Sequence, residues 1–126
     1  MKYLLIFITS LFFSNLLFAD DVTVRMLNKL EKRSMVFDKG PRGLFTMMGI
    51  TPEKAVKDLI NSGADVVASN CGNGSDIMLE VASELTKYSE KPVMIQSNAG
   101  IPEIIKGKIV YNEKPEFMVK NYNKML

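Results

Sequence analysis

Two short apolar runs, Val66-Val67-Ala68 and Val93-Met94-Ile95, constrain the architecture most, because neither alternates with polar residues and each is bounded by turn residues. Such runs suit strands covered on both faces, and strands of that kind belong to parallel sheets flanked by helices. The intervening segments agree. Thr51-Pro52-Glu53 offers an N-cap, a proline at the first helical position and an acidic residue for the positive end of the helix dipole. Ala55, Val56, Leu59 and Ile60 then share one face, and Gly63 is placed to end the helix. Ser75 is read as the cap of a second helix carrying Ile77, Met78, Val81, Ala82 and Leu85, which Glu90-Lys91-Pro92 terminates.

Ser34-Met35-Val36-Phe37 reads as an earlier strand, followed by a Gly- and Pro-rich loop from Asp38 to Gly43. A weaker strand-like piece, Lys108 to Tyr111, precedes Lys114-Pro115 and a final helix from Glu116 with Phe117, Met118, Tyr122 and Met125. The order predicts an α/β fold with parallel strands and right-handed crossovers. The loops leaving the strands' carboxyl ends, Asp38 to Gly43, Asn70 to Gly74 and Asn98 to Pro102, should then share one rim, where ligands bind in such folds.

The amino terminus has a different composition. Lys2 is followed by an apolar run from Leu4 to Phe18, then Ala19 and two aspartates, the layout of a secretory signal with a possible cut after Ala19. The run is shorter than a stable membrane span requires. The expected organisation is a signal peptide or apolar extension at 1–19, a linker at 20–33 and a folded domain at 34–126. A genuine signal implies an exported or periplasmic protein, although the free thiol suits a cytoplasmic one.

What the chain lacks narrows its chemistry. With 0 His it has no imidazole base for a catalytic triad or an HExxH zinc helix, and with 1 Cys it has no internal disulfide and no structural site of several thiolates. A net charge of +2 is too small for the concentrated positive field that nucleic acids attract. The residue of most interest is Cys71, which follows a buried strand between Asn70 and Gly72. It stands near a helix start whose positive end favours thiolate; an isolated Cys is also commonly a small buried apolar residue. Gly72-Asn73-Gly74 lacks the third glycine of a dinucleotide fingerprint and the Lys of a P-loop, so it reads as a tight turn.

Three segments, Phe45-Thr46-Met47-Met48-Gly49-Ile50-Thr51-Pro52-Glu53, Gly63-Ala64-Asp65-Val66-Val67-Ala68-Ser69-Asn70-Cys71-Gly72 and Gln96-Ser97-Asn98-Ala99-Gly100-Ile101-Pro102, resemble in order and spacing the homocysteine S-methyltransferase family, closest to the cobalamin-dependent methionine synthase type. The similarity runs from about Ser34 to Leu126, and the resemblance implies a partial (β/α)8 TIM barrel of about three to four βα units. It also implies a methyltransferase in which zinc, held by three cysteines, binds homocysteine as thiolate for attack on a methyl donor. Cys71 matches the first zinc ligand, and Asn70, Gly72 and Asn98 are its expected neighbours at the substrate. The other two ligands lie in the family in a later Gly-Cys-Cys-Gly turn, so the zinc site is expected to be incomplete in this partial copy. Cobalamin would enter only through a separate domain or protein.

Three functional expectations follow: a weakly active or inactive methyltransferase chain, one part of a split enzyme whose second chain completes the barrel, or a non-catalytic exported α/β binding module. Homocysteine and a methyl donor are the partners implied by the resemblance. Nucleic acid is not among them.

Overall fold

The computed structural model describes residues 4–6 and 29–125. Its centre is a parallel sheet of four strands in the order β1-β6-β5-β2, formed by β1 (Leu4–Ile6), β2 (Lys32–Met35), β5 (Val66–Asn70) and β6 (Val93–Gln96). Helix α1 (Pro52–Asn61) connects β2 to β5 after an intervening hairpin, and helix α2 (Ser75–Tyr88) connects β5 to β6. This is the α/β arrangement that the sequence predicts. The expected cut after Ala19 and most of the expected linker lie outside the described residues.

Both helix starts and stops have identifiable causes. Thr51 caps α1, its hydroxyl accepting from the Lys54 amide at 3.3 Å, and Pro52 follows at the first helical position. At the other end Gly63 adopts φ +92°, which lets its own N–H reach the Ile60 carbonyl at 2.9 Å and the Ala64 N–H reach the Leu59 carbonyl at 3.1 Å. These are the paired bonds of a Schellman ending, and they satisfy carbonyls that the helix cannot.

The sheet and helices bury one cluster. Ala55, Val56 and Leu59 of α1 and Met78, Val81, Ala82 and Leu85 of α2 close over Val67, Val93 and Ile95, with Phe37 and Leu44 alongside. Val66, Val67, Ala68 and Ser69 are all buried, so β5 is covered on both faces. That explains why its sequence shows no apolar–polar alternation.

The structure corrects three expectations. The Asp38 to Gly43 segment is an antiparallel hairpin, β3 (Asp38–Gly40) and β4 (Gly43–Phe45), because Pro41-Arg42 reverses the chain and Gly43 takes φ +107°. Lys108 to Tyr111 contributes no parallel strand. Its β8 (Lys108–Val110) pairs antiparallel with β7 (Glu103–Ile105) through Lys106 and Gly107, both left-handed at φ 51° and 75°. Two consecutive left-handed residues form the tight turn that matches strand twist. Ser75 does not cap α2; it is the first helical residue, and Gly74 occupies the cap without a side-chain bond. Strand β1 lies within the 1–19 segment that the sequence reads as a signal peptide or apolar extension.

Helix α3 (Pro115–Tyr122) packs with Tyr122 and Asn121 buried, while Phe117 stays largely exposed. Among the described residues no helix is long and apolar enough to cross a membrane.

Candidate functional site

The strands β2, β5 and β6 end side by side, and the bonds among their outgoing loops gather the residues singled out from the sequence. Asn70 ends β5 half-buried. Its side-chain carbonyl accepts from the Ser34 hydroxyl, and its amide N–H donates to the Cys71 sulfur at 3.1 Å. Cys71 is exposed and left-handed at φ +58°, an uncommon conformation for a residue with a Cβ. Its own N–H is held by the Gln96 carbonyl of β6 at 3.0 Å. The turn therefore aims the sulfur outward instead of folding it into the core.

Gly72 follows at φ +74°, and a Cβ there would come within 2.8 Å of Val36 Cγ1. Both facts require glycine at this point. Asn73 then ties the rim together. Its side-chain N–H donates to the Phe37 carbonyl beyond β2 at 2.8 Å, and its backbone carbonyl accepts from Asn98 N–H beyond β6 at 3.3 Å. Asn70, Cys71, Gly72 and the half-buried Asn98 thus belong to one interlocked rim.

Two contributors were not singled out from the sequence. Asn73, flanked by glycines, read as part of a plain turn, although its amide supplies the cross-links just described. Glu113 carried no local signal, since its partner lies 38 residues away: both carboxylate oxygens sit 3.0 Å from the Ser75 N–H. A carboxylate at a helix N-terminus satisfies an orphan donor and complements the dipole, which is why Ser75 is not needed as a cap. The Ser75 hydroxyl instead accepts from the buried Asn121 side chain at 2.9 Å. Glu113 N–H in turn donates to the Ala99 carbonyl at 2.9 Å, joining the β6 loop to the segment before α3.

The family model described as Homocysteine S-methyltransferase matches residues 23–126. The chain belongs to the homocysteine S-methyltransferase family. No curated protein matches it. The family match starts earlier than Ser34, within the stretch read from the sequence as a linker.

A zinc ion is the metal that the homocysteine S-methyltransferase resemblance implies, and the donor set of this chain does not fit one. Cys71 is the single thiol, there is no imidazole, and among the described residues no group of three or more Cys, His, Asp or Glu side chains converges. The immediate partner of the sulfur is the Asn70 amide, a hydrogen-bond donor and not a metal ligand. A tetrahedral zinc site needs about four donors. An open groove of about 540 Å³ lies elsewhere, lined by Arg42, Phe45, Thr51, Glu53, Glu80 and Tyr88 among others, and includes none of Asn70, Cys71, Gly72, Asn73 and Asn98.

Proposed function

We propose that this sequence supplies the cysteine-bearing rim loop of a methionine synthase-type homocysteine S-methyltransferase barrel, in which segments outside this sequence supply the remaining thiolates. Homocysteine is the substrate class implied by the family. In this reading Cys71 is one thiolate donor of the metal site, and Asn70, Gly72 and Asn98 lie beside the substrate sulfur. The observation that carries it is the exposed Cys71 at the carboxyl tip of β5, held left-handed in a rim that Asn73 ties to both neighbouring tips.

The chain's own residues have a limited set of tasks in this scheme. The Gln96 carbonyl and the Gly72 turn fix the direction of the sulfur, while the Asn70 side-chain N–H donates to it. Methyl transfer needs further thiolates from outside this chain, so the isolated protein is expected to be inactive. This distinguishes the proposal from a self-sufficient enzyme.

Cobalt(II) titration tests it, because thiolate-to-cobalt charge-transfer bands report the number of sulfur donors. The chain alone should give no tight tetrahedral spectrum. Adding a polypeptide that carries the family's Gly-Cys-Cys-Gly turn should produce one that Cys71→Ser weakens. A tight tetrahedral site in the lone chain, or a spectrum indifferent to Cys71, would overturn the proposal, and the second result would favour a non-catalytic module.

A further inference from the structure

The apolar head plays no part in the proposed site, yet the structure gives it a position. β1 lies parallel to β6 with Leu4 opposite Val93, Leu5 opposite Met94 and Ile6 opposite Ile95. The other side of β6 is taken by β5. Without β1, β6 would present a row of unpaired N–H and C=O groups next to the core residues Val93 and Ile95, which are 3% and 0% exposed. Open edges of that kind invite pairing with other chains.

Leu4-Leu5-Ile6 is apolar at every position, the composition expected of a strand beside a doubly covered sheet and not of one facing water. The same residues form the front of the run that reads as a leader. A segment removed by cutting after Ala19 does not remain on the sheet, so the two uses exclude each other in one mature molecule.

We propose that Leu4–Ile6 is a resident strand that closes the β6 edge in the folded protein, making the apolar head an internal edge protector retained by the mature chain. The inference involves neither Cys71 nor a metal, but it bears on the methyltransferase reading, since a strand completing a barrel beside β6 would have to take the edge that β1 occupies.

Disulfide trapping in the full chain tests it. In a Cys71→Ser background, Leu5→Cys with Met94→Cys should oxidise to an intramolecular disulfide, because registered neighbours lie within the ~4.4–6.8 Å Cα separation that the bond requires. Leu5→Cys with Lys32→Cys, on the far edge strand, should cross-link about tenfold less. Equal cross-linking of the two pairs, or none, would overturn the proposal.

Hydrogen exchange on the unaltered full chain supplies a second readout that does not depend on engineered cysteines. Alternate backbone groups of β6 face its two neighbours, so both sets of amides should be protected. Protection confined to the set facing β5 would refute a resident β1. So would recovery of a mature chain beginning at Asp20 from an exporting host.

Discussion

Strand β5 and the β7–β8 hairpin are both rich in branched apolar residues, yet they have opposite fates. Val66, Val67 and Ala68 are at most 1% exposed, whereas Ile104 and Ile109 are 81% and 69% exposed. The difference comes from connectivity. β5 is hydrogen-bonded on both sides and packed under two helices, while among the described residues β7 and β8 pair only with each other. An apolar run therefore specifies a strand more securely than it specifies burial, because burial depends on what the rest of the chain brings to each face.

Truncation should separate the two regions most sharply. Leu85→Ala, under the sheet at 0% exposure, should lower unfolding stability by about 2–5 kcal/mol, whereas Ile104→Ala should stay within about 0.5 kcal/mol. Urea denaturation followed by circular dichroism measures both, and comparable losses would mean that the hairpin is packed against something after all.

The two regions also contain glycines with the same backbone angle in different surroundings. Gly72 at φ +74° meets Val36 Cγ1, and Gly107 at φ +75° meets nothing within 4 Å. Gly107→Ala should cost about 1–2 kcal/mol from the left-handed conformation alone. Gly72→Ala should exceed it by about 1 kcal/mol or more, because a neighbour must also give way. Equal costs from the same denaturation experiment would show that the Val36 side chain yields freely and that the rim is softer than its bonds suggest.

A smaller effect is expected where the hairpin's exit meets the sheet. Glu113→Ala removes the acceptor of the Ser75 N–H and should cost about 1 kcal/mol, the usual worth of a helix N-cap, with exchange of the Ser75 amide quickened. Smallest of all is the exposed pair on α1. The hydrogen bond from Lys57 and its charge hold the Glu53 carboxyl below its ordinary range, and the same contacts raise Lys57. The stabilisation from Glu53 is thus present above the usual carboxylate range and lost as pH falls through its lowered folded value. Lys57's contribution is lost as pH rises through its raised value. Thermal melts of the native chain and Glu53→Gln should differ only slightly at neutral pH and converge in acid, since surface pairs contribute little.

The sheet order β2, β5, β6 and the helices between them were legible because each element's signal is local: a cap, an uninterrupted apolar run, a glycine stop. Thr51, Pro52 and Gly63 act in the structure as their types suggest. The cap of α2 was not legible, because Glu113 arrives from a distant segment and only folding brings the two together. The β7–β8 hairpin hid for another reason: Lys106 occupies a left-handed position more often filled by Asn or Gly, so the turn lacked its usual marker. Cys71, Asn70, Gly72 and Asn98 were placed on the rim by strand alternation alone. The bonds that interlock them run through Asn73, whose role follows from the proximity of three loops and not from its own neighbours in sequence.

The two bonds of Asn73 tie the segments beyond β2 and β6 to the turn that carries the thiol. A single amide side chain and its own carbonyl thus span three strand tips, so replacing Asn73 would cut two loops loose from the cysteine turn at one stroke.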